Sequence, residues 1–363
     1  MTFREATSSY EAWLGRFGPL DTDDLADKHA QMADADDPFP FFRGTYYRWA
    51  QRWPEVCGGL VDAPAVLAVG DLHVENFGTW RDRDGRLCWG VNDFDEADEL
   101  PYTNDLTRLA ASVLFARRAS QAGGLSLVKF KPACAAILDG YAATLAAGGD
   151  PFVLEERHAA LRAMAMAANR DPVEFWRKLT KLLGTPAADP PAAARAALTD
   201  SLPAADLVPE FRRRPRVGVG SLGKRRYVAL AQWGGGWVAR EAKAVAPPAT
   251  GWAAGDARPS RMAEAVAGAK RCPDPFYAPG PEWVARRLAP RCSRVELGDL
   301  ATAGDVTELL RSMGAEAANV HLGSPAAAAI PADLTRRPAN WLPDAAKSME
   351  AAVAADWAAW RGK

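Results

Sequence analysis

Residues 70–76, GDLHVEN, set Asp71, His73, Glu75 and Asn76 within a few positions of one another, directly after the apolar run Ala65 to Val69. A second acidic group, NDFDEADE from Asn92, places Asp93 and Asp95 just after another short apolar run, Leu87 to Val91. Both runs read as strands, with a charged hairpin around Asp82, Asp84 and Gly85 between them. Each strand therefore delivers carboxylates at its exit. A paired-strand hairpin is expected to hold the two exits side by side, with Asn76 between them in sequence. Carboxylates and an amide oxygen converging on one edge are hard oxygen ligands suited to magnesium with a phosphate. A spare carboxylate is left to accept a proton. Asp, Asn and Gly are also common turn residues, and a charged hairpin is often only solvated surface. The density of functional side chains straight after a buried-looking strand, repeated twice, favours a site.

GDLHVEN followed by NDFDEA resembles the catalytic loop and metal-binding segment of protein-kinase-like and aminoglycoside-phosphotransferase-like enzymes. The chain is similar, more specifically, to a bacterial family of unknown function that shares this core. That likeness rests on FFRG (Phe41 to Gly44), GDLHVENFG, NDFDEA, NDLTRLAAS, GVGSLG, AREA and MGAEAANVH, and spans about residues 28 to 323. The resemblance implies Asp71 as the catalytic Asp, with His73 beside it. It also implies Asn76 as a metal ligand and Asp93 as the main metal Asp, with Asp95 in support. Asp105, at the start of NDLTRLAAS, looks like the Asp that hydrogen-bonds the catalytic-loop backbone; a charge complementing the helix dipole is the plainer account. Arg43 is implied to help order the site.

The elements that must position these residues are legible in outline. Residues 1–60 read as an N-terminal helical and aromatic segment, including Tyr10, Trp13, Leu14 and Phe17. Residues 61–205 read as a helical lobe holding the acidic segments, with a Pro/Ala/Asp-rich connection at 185–206 as its boundary. Residues 206–300 turn to strands. There GVGSLG, with Gly218, Gly220, Ser221 and Gly223, fits the hairpin type of glycine-rich turn that covers ATP phosphates, because RRYVALAQ after it is strand-like rather than helical. EWVARRLA and RCSRVEL read as two further strands. Residues 301–363 read as helices returning to the helical lobe, with Asp305 and Glu308 as an N-terminal cap pair.

The third strand of such a sheet should carry a cation for the phosphates. Arg240 in AREA matches the family pattern, where a lysine is usual; Lys243 follows on the opposite strand face. Arg240 is the expected cation, with Glu264 on the next helix as its partner. The implied fold is α+β, a two-lobed protein-kinase-like arrangement with a small antiparallel sheet lobe and a larger helical one. The acidic segments precede the glycine turn here, the reverse of the usual order, which points to circular permutation.

Composition narrows the classes. A formal net charge of −1 leaves no basic excess for nucleic acid. No apolar run is long enough for a membrane span, and MTFREATSSYEAW does not read as a signal peptide, so a cytoplasmic location is expected. Five cysteines without CxxC spacing read as reduced thiols rather than a zinc site or disulfide frame. The expected activity is ATP- and Mg²⁺-dependent phosphoryl transfer to a hydroxyl-bearing small molecule or protein. Two readings compete: a nucleotide-binding pseudokinase or scaffold, supported by Arg240, and a metallophosphoesterase opened by Asp71-x-His73. The second is poorly supplied, since only four histidines occur in the chain.

Overall fold

The computed structural model describes residues 1–118, 123–166, 171–290, 292 and 300–362. The chain opens with α1 (Phe3–Leu14), α2 (Thr22–Met32), α3 (Phe39–Gly44) and α4 (Tyr46–Val56). Thr2 starts α1 with a capping box: its hydroxyl accepts the Glu5 N–H, and the Glu5 carboxylate takes the Thr2 N–H. Four short strands follow: β1 (Ala65–Ala68), β2 (Phe77–Arg81), β3 (Leu87–Val91) and β4 (Asp98–Pro101). Next come α5 (Tyr102–Arg118), α6 (Phe130–Ala147), α7 (Ala159–Ala165), α8 (Pro172–Thr180) and α9 (Ala192–Thr199). Then β5 (Glu210–Arg213), β6 (Arg226–Trp233), β7 (Gly236–Ala244), α10 (Ala249–Ala253), α11 (Met262–Gly268), β8 (Ala278–Pro279) and β9 (Trp283–Leu288) complete the strand-rich half. The chain closes with α12 (Ala303–His321), α13 (Ile330–Arg336) and α14 (Trp341–Trp360).

The class is α+β, and the three sheets among the described residues are antiparallel. β1 pairs with β4, β2 with β3, and the five-stranded sheet runs β5-β6-β7-β9-β8. The two acidic-segment strands therefore do not pair with each other as expected. The unforeseen β2 takes β3, in register from Phe77↔Val91 to Arg81↔Leu87. β6 turns into β7 through Gly234 and Gly235, both at positive φ, the conformation a two-residue hairpin needs.

α12 packs along α6 almost backbone to backbone. A Cβ on Gly140 would lie 1.9 Å from the Arg311 carbonyl oxygen, and one on Gly314 would lie 2.0 Å from that of Ile137. Only glycine fits there. The helix starts two residues before the expected Asp305, and its cap pair is Thr302 with Asp305 rather than Asp305 with Glu308.

The division between halves also moves. Residues 172–199, expected in the helical lobe, cover the five-stranded sheet instead. Leu179 of α8 packs on Val228, Leu230, Ala239 and Leu288, while Ala194 and Leu198 of α9 pack on Tyr227, Ala229 and Ala242. Strand alternation makes these the two opposite faces of the sheet. α11 sits elsewhere, its Met262 and Ala265 joining the main helical core. Of the segment RCSRVEL, read as a strand, only Cys292 lies among the described residues. Among the described residues, no helix is long and apolar enough to cross a membrane.

Candidate functional site

The first acidic loop is pinned from beneath by α5. Gly70 leaves β1 at φ +80°, and a Cβ there would lie 2.2 Å from the Glu96 carbonyl oxygen. The Asp105 carboxylate accepts the N–H groups of Val69 (2.7 Å) and Gly70 (2.9 Å). His321 of α12 reaches the same carboxylate at 3.1 Å and Tyr141 at 2.8 Å, and all of these groups are buried. The geometry suits an imidazole that donates from Nε2 to Asp105 and accepts the tyrosine O–H on Nδ1. Asp105 thus joins the loop backbone to two distant helices.

One turn further along α5, Arg108 grips Asp71. Its Nε and Nη2 donate to Asp71 Oδ1 at 3.0 and 2.7 Å, and Nη2 also donates to the Phe42 carbonyl. The guanidinium is fully buried and lies 3.6 Å from the Phe42 ring centroid. Burial raises the Asp71 pKa, and the Arg108 charge and hydrogen bonds oppose that rise. With Oδ1 occupied, Oδ2 faces Gly220 across the cleft, where a Cβ on that glycine would lie 3.7 Å away. His73 is buried behind the loop, its Nδ1 accepting the Glu75 N–H.

Asn76 links the two acidic segments. Its Nδ2 donates to the carbonyl oxygens of Asp71 (3.1 Å) and Asp93 (3.0 Å). Two carbonyl partners fix which end of the amide is nitrogen, so Oδ1 is an oxygen, buried and without a partner among the described residues. Lys243 reaches both oxygens of Asp93, at 3.0 and 3.2 Å, and Asp95 Oδ1 at 2.6 Å. Lys224 meets Asp95 Oδ2 at 3.2 Å. Burial alone would raise the Asp95 pKa, but the two ammonium groups hold it well below the ordinary carboxylate range. Beside them burial pushes Glu96 up to about 7, with Lys224 opposing.

The glycine turn forms the facing wall. Residues 214–225 join β5 to β6, with Gly218 at φ +72° and Gly223 at φ +95°. Ser221 accepts from Arg226, which also binds Glu241. Glu241 is completely buried and is held by Arg214, Arg226 and Arg286, which keep its pKa low against the effect of burial. From outside, α2 clasps the turn: the Asp21 N–H donates to the Gly223 carbonyl at 2.9 Å, and Asp24 accepts the Arg216 N–H at 3.0 Å. The space enclosed is about 550 Å³, lined by Asp71, His73, Asn76, Asp93, Asp95, Gly218, Gly220, Ser221 and a set of arginines that includes Arg43. A roomier cavity of about 700 Å³ lies between the end of α1, β7 and the β8–β9 turn. Its walls are mainly proline and apolar side chains, and the acidic loops do not reach it.

Three expected members lie elsewhere. Gly223 is not among the residues that line the cleft and turns toward Leu25 of α2, which a Cβ there would approach to 2.6 Å. Arg240 occupies the α9 face of β7, where it donates to the Ser201 carbonyl at 2.9 Å and stacks on Phe276; Lys243, three residues on and on the opposite face, meets the carboxylates. Glu264 is exposed and pairs with Arg261, the residue just before its own helix. Sequence reading also missed Arg108, Lys224, Glu96 and Glu241. Lys224 directly follows the glycine turn and Arg108 lies one turn after Asp105, so both had a local signal.

The donors fit a magnesium ion. Asn76 Oδ1 is an oxygen without a partner among the described residues, and the Asp93 carboxylate, which accepts the Asp95 N–H at 3.3 Å, otherwise binds the Lys243 ammonium, a cation standing where another could stand.

Residues 20–183 match the model of a family described as "Uncharacterized protein conserved in bacteria (DUF2252)". No curated protein and no solved structure matches the chain.

Proposed function

We propose that this chain, similar over residues 20–183 to a bacterial family of uncharacterized proteins, is an ATP- and Mg²⁺-dependent phosphotransferase acting on a hydroxyl group. One observation carries the reading: a glycine turn with backbone room for phosphates faces Asp71, the unpartnered Asn76 oxygen and Asp93 across a single cleft. Asn76 and Asp93 would hold the metal, whose part is to neutralise phosphate oxygens. Asp71, oriented through Oδ1 by Arg108, offers Oδ2 to take the proton of the acceptor hydroxyl as its oxygen bonds to the γ-phosphorus of ATP and the bond from that phosphorus to the bridging oxygen breaks, with ADP leaving. Lys243, which faces the acidic loops, would serve as the phosphate cation rather than Arg240, with Lys224 in support. In this reading the architecture is kinase-like and circularly permuted, with the acidic loops before the glycine turn and α12 closing back on the helical half.

A second reading, nucleotide binding without transfer, draws support from the same lysines, since they already neutralise Asp93 and Asp95. Purified protein with ATP, Mg²⁺ and a pool of small hydroxyl compounds separates the two. Asp71→Asn should lower turnover by about 10²–10⁴-fold and keep the nucleotide-induced thermal shift. Lys243→Ala should lose that shift and Arg240→Ala should keep it. Thermal shift with no turnover in any pool supports the binding reading, and absence of both sinks the two together.

A further inference from the structure

Away from the cleft, at the tip of the β2–β3 hairpin, two side chains of the hairpin meet a third from far along the chain. One ligand atom each from Asp82, Cys88 and Cys272 lies within 4.8 Å of the others. Cys88 is fully buried and Asp82 nearly so. Asp82 Oδ1 caps the turn by accepting the N–H groups of Asp84 (3.0 Å) and Arg86 (2.8 Å). Its Oδ2 accepts the Cys272 thiol at 3.3 Å and the Arg86 Nε–H at 2.7 Å. Cys272 is seated by its neighbours: Trp80 donates to its carbonyl at 3.2 Å, and Arg271 stacks 4.2 Å from the Trp80 centroid.

We propose that Asp82, Cys88 and Cys272 form a site for a thiophilic divalent cation of the zinc class, with a fourth position open to water. Two thiolates and one carboxylate are a zinc donor set, and zinc–sulfur bonds of about 2.3 Å in a tetrahedron put the sulfurs about 3.8 Å apart, within the spacing found here. On binding, each thiol releases its proton to solvent and Cys272 trades its hydrogen bond to Asp82 for the metal; no electrons move. The ligands then carry three negative charges and the ion two positive, and Arg86 supplies the last, its Nη2 already 3.8 Å from Cys272 Sγ. The ion would staple the hairpin that delivers Asp93 to the segment that leads from α11 to β8. This inference is independent of the phosphotransfer reading.

Cobalt(II) added to the reduced full-length protein tests it. The expected result is one ion per chain with a thiolate-to-cobalt charge-transfer band that zinc abolishes. Cys88→Ser and Cys272→Ser should each remove the band, whereas Cys57→Ser, Cys134→Ser and Cys292→Ser should leave it. Asp82→Asn, which keeps the oxygen that caps the turn, should weaken affinity at least about tenfold. Should Cys88→Ser fail to fold, the more exposed Cys272 carries the test. Zinc should raise Tm in the wild type and not in Cys272→Ser. The proposal is overturned by absence of the band, by its survival in Cys272→Ser, or by a Cys88–Cys272 disulfide that forms in air equally fast with and without zinc.

Discussion

Arg108 has no exposed surface, yet it carries a charge into the centre of the helical half. Its cost is offset by Asp71, the Phe42 carbonyl and the faces of Phe42 and Trp49. Removing one member of such a pair strands the other. Arg108→Met should therefore destabilise the fold by about 3 kcal/mol. Combining it with Asp71→Asn should recover more than about 1 kcal/mol of that loss in a double-mutant cycle by chemical denaturation. Additive single effects would mean that the two groups are not coupled. Lys28 shows the opposite case, a buried base whose burial lowers its pKa from 10.5 to about 8, with Glu11 opposing. Between those values the unfolded chain holds a proton that the folded one has lost, so this residue's contribution makes stability rise with pH there. Lys28→Met should flatten that rise and add on the order of 2 kcal/mol at pH 7. An unchanged difference between denaturation curves at pH 7 and pH 10 would refute the assignment.

Among the elements, the α6–α12 pair sets the geometry most tightly, because glycines 140 and 314 leave no room between the backbones. The same α12 carries His321 to Asp105, and so supports the loop that holds Asp71. Gly140→Ala should push the helices apart at a cost of about 1–3 kcal/mol, read as a lower Tm. By contrast, Gly148→Ala has open space and is strained only by its φ of +75°, so it should cost less. An equal loss from the two substitutions would show that close packing is not what Gly140 provides.

For the molecule as a whole, the two halves are bound more closely than a hinged pair of lobes. Val284 of β9 and Met262 of α11 belong to the same buried cluster as the helices, and α2 holds the glycine turn through Asp21 and Asp24. Denaturation should therefore be one cooperative transition, with far-ultraviolet circular dichroism and tryptophan fluorescence coinciding. Two separated midpoints would show that the sheet folds on its own. The net charge of −1 hides a segregation made by folding. Arg43, Arg214, Arg216, Arg226 and Arg286 come from remote parts of the chain to line one cleft with the acidic loops.

Local spacing alone determined a good part of this arrangement. GDLHVEN, NDFDEA and GVGSLG are compact words whose residues must lie together whatever the fold, and the strand and helix around each follow from short-range periodicity. Their meeting in one cleft, and the choice between Arg240 and Lys243, belonged to the tertiary structure. Alternation put the two cations on opposite faces of β7, but only the docking of α9 on one face and of the acidic loops on the other decided which of them meets a carboxylate. Strand partners escaped for the same reason. β1 takes β4 and β2 takes β3 because register is settled by which apolar faces the helices cover, information that a short segment does not hold. The clasp of Asp82, Cys88 and Cys272 was hidden most completely: separations of six and 184 residues carry no motif until the chain has closed around them.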